Sequence, residues 1–237
     1  MSTQKGQNKI RSKLDNIYKI SLSKKDIDKF EDEIIQIIKN FNKKNPKKKK
    51  NISEKTSLII CYGDSIYSNK KNSISLFKTF FQKKLKKYFN MIHFLPFYPS
   101  SSDSGFSVKD HYKIDNKLGS WSDIKKISKS NDIMADIVIN HASARGLWFR
   151  NFLKNKKPGR NYFLTIDSKF NTSKVIRPRD HKLLKQINIF NKKEYLWRTF
   201  SEDQLDLNFK NPSVLLRFIK IMINLINHGV SVFRLDA

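Results

Sequence analysis

The chain has 237 residues, with 48 Lys and Arg against 21 Asp and Glu, giving a formal charge of +27. Hydrophobic residues at 38% and aromatics at 12% support a packed core and argue against a disordered chain. The single cysteine, Cys61, excludes an internal disulfide and a thiolate metal site, and no apolar run reaches the length of a membrane span.

Length allows one sizeable domain or part of a larger one. The sole cysteine fits a reducing cytoplasm, and the opening MSTQKGQNKI lacks the apolar segment of a secretion signal. The positive charge raises a polyanion partner as an alternative. Lysine, however, far outnumbers arginine and travels with abundant Asn and Ile, as a nucleotide-composition bias would produce. No basic stripe is interleaved with aromatics as on a base-stacking platform, so a nucleic-acid partner is not expected. The 5 histidines lack the i,i+4 spacing of a zinc helix, and the 7 glycines form no phosphate loop. No metal or organic cofactor is expected.

Ser23 opens an amphipathic pattern with Asp26 as its capping-box partner, and Ile27, Phe30, Ile34, Ile37, Ile38 and Phe41 predict a helix over 24–41. A charged linker, Asn42–Lys50, closes this first segment, taken as 1–50. Residues 57–62 then read as a short buried strand ending at Gly63-Asp64, and 74–89 as a helix with Ile74, Phe77, Phe80, Phe81, Leu85 and Phe89 facing inward. Met91–Leu95 is a second strand closed by Pro96 and Pro99. Residues 121–130 read as helix and Ile133–Ile139 as a third strand, an apolar run interrupted by Asp136, as expected of a strand buried on both faces.

A long irregular stretch over 140–210 interrupts the alternation and is too long for a plain connection. Asn211 then caps a helix with Pro212 at its first position, Gly229 ends it, and 230–235 reads as a fourth strand. Strand–helix alternation predicts an α/β fold of parallel strands with right-handed crossovers. Periodicity alone leaves barrel and open sheet both open. The expected division is 51–141 for the first three strands, 142–210 for an inserted small domain, and 211–237 for a helix and the fourth strand.

Phe233-Arg234-Leu235-Asp236 places a carboxylate at a strand exit with an arginine two residues earlier on the same side, because strand side chains alternate. A carboxylate beside a fixed cation stays ionised, as a nucleophile toward a sugar carbon requires.

With this motif stand two others. Asp136-Ile137-Val138-Ile139-Asn140-His141 looks like the third-strand signature of the α-amylase superfamily of retaining glycoside-active enzymes, and Gln204-Leu205-Asp206-Leu207-Asn208 like the marker of its inserted domain. Phe233–Asp236 looks like its fourth-strand motif. The finer resemblance is to the sucrose phosphorylase group within glycoside hydrolase family 13. It rests on Leu95–Pro99, Asp103-Ser104-Gly105-Phe106, Asp110-His111, Leu118–Trp121, Arg177-Pro178-Arg179 and Trp197–Phe200. His111 replaces the tyrosine common in the superfamily, and sucrose phosphorylases also carry histidine there.

The resemblance implies the N-terminal half of a (β/α)₈ TIM barrel with an irregular insertion after strand 3 and an active site at the strand C-termini. By the same resemblance, Asp236 is the nucleophile that forms a glucosyl ester, and Arg234 holds it ionised and aimed. Asp103 accepts hydrogen bonds from glucose hydroxyls, Phe106 packs on the sugar face, and His141 donates to a hydroxyl. Asp136, Asn140 and Asp206 are structural at the site. Arg179, with Arg177, holds phosphate or the acceptor, since guanidinium suits phosphate geometry. The implied partners are an α-glucoside and inorganic phosphate as co-substrate.

One departure bears on substrate. Ile176 stands where sucrose phosphorylases carry a tyrosine, which weakens the case for sucrose itself. Relatives with anionic acceptors, glucosylglycerate or sucrose phosphate, also resemble this stretch, and Lys174, Arg177, Arg179 and Lys182 would suit an anion. Retaining transfer needs a second carboxyl, roughly 5 Å from the first, as acid/base. In the family it lies on the fifth strand, so the chain is expected to be inactive alone. The expected function is phosphorolysis of an α-glucoside. The alternatives are an α-glucosidase or amylase-type hydrolase, a non-catalytic truncated relative, and a basic nucleic-acid-binding protein.

Overall fold

The computed structural model of the protein describes residues 4–44, 52–69, 71–167, 169–177, 179–189 and 192–237. Most of the expected linker Asn42–Lys50, and Pro178 of the Arg-Pro-Arg turn, lie outside them. In chain order the elements are α1 (Gln4–Tyr18), α2 (Lys24–Lys44), β1 (Leu58–Cys61), α3 (Ser73–Phe80), β2 (Met91–Phe94), α4 (Trp121–Ser128), β3 (Asp132–Val138) and β4 (His141–Ser143). There follow α5 (Leu147–Leu153), β5 (Thr165–Ile166), β6 (Leu184–Ile189), β7 (Lys192–Trp197), β8 (Gln204–Asp206), α6 (Pro212–Asn227) and β9 (Val232–Asp236). No helix among the described residues is long and apolar enough to cross a membrane.

The chain divides into two compact units. One contains α1, α2 and Phe209–Ile223. Ser23 Oγ bonds Asp26 Oδ2 at 2.6 Å, and the Asp26 N–H donates back to Ser23 Oγ at 3.2 Å, which starts α2 where expected. Ile27, Phe30 and Ile34 form its buried stripe, joined by Leu14, Tyr18 and Leu216. The Tyr18 ring meets Phe30 edge-on at 5.5 Å, and its hydroxyl donates to the Phe209 carbonyl at 3.0 Å. Helix α1 was not anticipated: its apolar positions are sparse among Lys, Gln and Asn, and only Leu14 and Tyr18 are buried.

The second unit comprises Ile52–Asn208 with Asn224–Ala237. Its centre is a four-stranded parallel sheet in the order β1-β2-β3-β9. All of β2 is buried, as are Ile133, Ala135, Ile137 and Val138 of β3, so these strands read as nearly continuous apolar runs. Helix α3 covers β2 through Phe77, whose ring meets Phe94 edge-on at 5.3 Å. The backbone then loosens into a π-helical turn over Phe81–Leu85, which buries Phe81 and leaves Phe80, expected on the inner face, 40% exposed. Helix α4 begins at a reciprocal capping box between Ser120 and Asp123 and buries Ile124 and Ile127. Parallel strands laid down in sequential order, with α3 and α4 between the first three, are part of a (β/α)₈ barrel.

The insertion between β3 and α6 is less irregular than its sequence suggests. Strands β4 and β8 pair antiparallel, with His141 opposite Asp206, and β5-β7-β6 form a second antiparallel sheet. Its strands alternate weakly among lysines, so the two-residue period is hard to see in the sequence. His111 is buried here, stacked on Trp148 at 5.3 Å, and its Nε2 donates to the Val138 carbonyl at 3.3 Å.

Two outcomes follow from this packing. Ile133 is fully buried at the centre of the sheet, so Ile133→Ala is expected to cost about 2–5 kcal/mol, read as a lowered urea midpoint. Burial pushes the His111 imidazole down to about 4, against the opposing pull of the Val138 carbonyl and Asp110. The unfolded chain, with an ordinary histidine near ~6.5, then binds more protons between those values. Its contribution to stability is complete above the unfolded value and is lost as pH falls toward 4. That loss amounts to about 3 kcal/mol. Urea titrations across this window should show it, and His111→Phe should flatten it.

Candidate active site

Asp136 sits on β3 with no solvent exposure, a position where an unpaired carboxylate would be severely destabilising. It is satisfied from both neighbouring strands. His93 of β2 places Nε2 2.7 Å from Asp136 Oδ2, and Arg234 of β9 donates Nη1 to Oδ1. The Tyr98 hydroxyl donates to the Asp136 backbone carbonyl at 2.8 Å. The sheet register sets Asp136 opposite Arg234 and Val138 opposite Asp236. The other arm of the same guanidinium, Nη2, lies 3.0 Å from Asp236 Oδ1. The hydrogen bond it donates to Asp136, with Asp236 adding to the effect, raises the Arg234 pKa against the opposing effect of burial, so the cation is permanent. Beyond it, the Ile139 N–H donates to the Asp236 carbonyl at 2.9 Å and ties the two strand ends together.

Asp103 stands on a tight turn after β2. Asp103 and Ser104 have φ of 56° and 48°, and Gly105 has 106°. Left-handed backbone costs a non-glycine residue ~1 kcal/mol or more, so such a turn needs outside support. At Gly105 a Cβ would meet the Pro96 carbonyl oxygen at 2.5 Å, which restricts the position to glycine. Gln204, buried on β8, donates Nε2 to Asp103 Oδ2 at 2.7 Å. Next to it the Asp203 carboxylate gathers hydroxyls from both flanks of the turn, with Ser102 and Ser107 at 2.8 Å each.

His141 is buried on β4 and its Nε2 donates to the Phe106 carbonyl at 3.2 Å. Burial lowers its pKa, against that hydrogen bond and the charges of Asp206, Asp236 and Asp103. Three carboxylates from β8, β9 and the turn therefore act on one imidazole. Asp206 is taken up by Thr199, whose N–H and hydroxyl reach its two oxygens at 2.9 and 2.6 Å. Its own pKa is raised by burial in spite of Thr199, His141 and Asn140. The Asn140 carbonyl accepts the Leu207 N–H at 2.9 Å, joining the end of β3 to the exit of β8. The Phe106 ring is half-buried and lines a cavity of about 630 Å³ on the sheet face, together with Arg234, His93, Tyr62 and Met134.

The two arginines of the insertion differ. Arg177 is turned onto its own loop, bonding the His181 carbonyl and, at 3.4 Å, the Thr199 carbonyl. Arg179 lies over the Phe200 ring at 5.9 Å, and Phe200 in turn meets the His141 ring at 5.2 Å. Arg179 thus reaches the His141 ring through Phe200, and Arg177 reaches the same locus through Thr199, the partner of Asp206.

Sequence reading missed His93, Tyr98, Gln204 as a side-chain partner, and Asp203. His93 carried a usable signal, being a lone polar residue in a run otherwise apolar. Asp203 carried none, because three scattered serines and an aspartate about 100 positions away look like ordinary loop residues.

Against known proteins, residues 78–237 match the family model described as alpha amylase, catalytic domain. Glucosylglycerate phosphorylase of Allomeiothermus silvanus is 40% identical over 185 residues, covering 78% of this chain and 33% of that protein. Sucrose 6(F)-phosphate phosphorylase of Thermoanaerobacterium thermosaccharolyticum is 30% identical over 194 residues, covering 76% and 39%. Among solved structures, sucrose 6F-phosphate phosphorylase from Thermoanaerobacter thermosaccharolyticum superposes with a TM-score of 0.68 at 28% identity, over 79% of this chain and 40% of that one. The chain spans about a third of the length of these curated relatives.

Arg234→Ala would strand the buried Asp136 carboxylate with His93 as its remaining charged-type partner. We expect a loss of about 3 kcal/mol in urea unfolding, with Arg234→Lys losing less because it keeps a cation for Asp136, though one ammonium cannot span both carboxylates.

Proposed function

Since this chain belongs to the α-amylase family through its catalytic domain, we propose that it forms the glucose-binding part of a retaining α-glucoside phosphorylase. The observation that carries the reading is the single guanidinium shared by Asp136 and Asp236, beside an imidazole on which Asp236 and Asp103 both act. An ionised, aimed carboxylate at a strand exit has the form of a nucleophile toward an anomeric carbon, and a nearby aspartate and histidine suit the hydroxyls of a pyranose.

In the proposed reaction Asp236 attacks C1 of the α-glucoside while an acid carboxyl protonates the departing oxygen, leaving a glucosyl ester. Phosphate then attacks C1 and returns a proton to the acid group, the ester bond breaks, and α-glucose 1-phosphate leaves with both carboxyl groups restored. Hydrolysis, with water in place of phosphate, is the second outcome of the same ester. The acceptor we favour is anionic. Two of the most similar relatives, at 40% and 36% identity, are glucosylglycerate phosphorylases. Arg179 is joined through Phe200 to His141, and Lys174 and Lys182 stand exposed in the same loop region.

No carboxyl described near Asp236 is free to act as acid/base. Asp136 is held by Arg234 and His93, Asp206 by Thr199, and Asp103 by Gln204. The 237 residues by themselves are therefore expected to show no turnover. A polypeptide that carries them together with an acid/base carboxyl should convert glucosylglycerate and inorganic phosphate to α-glucose 1-phosphate and glycerate. Asp236→Asn should lower that rate by about 10⁴-fold. Glucose release independent of phosphate would replace phosphorolysis with hydrolysis, and turnover by the 237-residue chain alone would overturn the assignment of roles.

A further inference from the structure

We propose that Asp203 is the positioning residue for the turn that presents Asp103. One of its carboxylate oxygens, Oδ2, receives the hydroxyl of Ser101, that of Ser102 at 2.8 Å and that of Ser107 at 2.8 Å. The other, Oδ1, faces the Ser143 hydroxyl at 3.4 Å and Arg145 Nε at 3.9 Å. Its backbone carbonyl accepts the Ala144 N–H at 2.8 Å. The next residue, Gln204, reaches the tip of the turn at Asp103 Oδ2, 2.7 Å away. Consecutive residues of the insertion therefore hold the base and the tip of one turn.

The turn needs that grip. Two successive non-glycine residues, Asp103 and Ser104, lie at positive φ, and the turn's own backbone bonds close its base, as in Ser101 N–H to the Ser107 carbonyl at 3.1 Å and Lys109 N–H to the Pro99 carbonyl at 2.8 Å, more than its tip. Those bonds include the Phe106 N–H to the Asp103 carbonyl at 2.9 Å and the Ser107 N–H to the Ser102 carbonyl at 3.3 Å. Neutral serine hydroxyls bond a carboxylate more strongly than a neutral acceptor. Burial tends to raise the Asp203 pKa, but the hydroxyls of Ser101, Ser102 and Ser107, with Arg145, bring it below the ordinary value, so the anion is the working form. An amide at this position would turn its own donors against serine hydroxyls or Arg145.

The inference rests on the reading of Asp103 as the group that meets the sugar, and its test separates the two. Amide hydrogen exchange is measured on the 237-residue chain as wild type, Asp203→Asn and Asp203→Ala, alongside binding of methyl α-glucoside followed by NMR. In Asp203→Ala, exchange at Phe106, Ser107 and Lys109 should accelerate by about tenfold or more. Asp203→Asn should give a smaller change in the same amides, and those of Ile133 and Ile137 in β3 should stay within about twofold of wild type. Glucoside binding should weaken in the same order. Unchanged turn amides, or acceleration shared equally by β3, would overturn the proposal, as would equal glucoside binding by all three proteins. Selective loosening of the turn with no glucoside binding even by wild type would support the positioning role and sink the sugar reading of Asp103.

Discussion

Arg234 is the constraint on which the site depends. One guanidinium spans two carboxylates, Asp136 inside the sheet and Asp236 at its rim. A carboxylate as buried as Asp136 is tolerated only when paired, so β9 must present its arginine opposite that position. A slip of one residue would put Leu235 or Phe233 there and turn the arginine to the other face. Strand register and the placement of Asp236 are therefore the same requirement, and stability enforces the geometry that the proposed chemistry needs.

Around this fixed pair the remaining groups arrive from distant parts of the chain. The turn at Asp103 follows β2, His141 opens β4, and Asp203, Gln204 and Asp206 lie on the return from the insertion. Pairing of β4 with β8 brings the last two sets together, because His141 stands opposite Asp206 and Ser143 opposite Gln204. The insertion thus acts as a clamp on the barrel rim rather than as a separate attachment. It belongs to the same compact unit as the sheet.

Much of the fold was legible because its signals are local. Apolar runs such as Met91–Phe94 and Ile133–Val138 can only be buried strands when helical faces such as Ile74, Phe77 and Phe81 separate them. The pairing of Arg234 with Asp236 was legible for the same reason, as an i,i+2 relation within one strand. Partners across the sheet were not: nothing in the order of residues ties His93 or Arg234 to Asp136 until the register is known. The insertion was least legible. Its strands are polar and short, and the contacts of Asp203 depend on a loop-to-loop meeting that no periodicity encodes.

The sheet face below the site bears on how these molecules behave toward each other. Ile60 of β1 is more than half exposed on the face that carries His93 and Arg234, with Leu58 and Tyr62 partly exposed beside it. Exposed apolar side chains of this kind favour association with a neighbour. The lysine excess that says so little about a binding partner has a colloidal effect here: at +27, like-charge repulsion keeps such surfaces of separate copies apart. Salt, by shortening the reach of that repulsion, brings them within range of clumping.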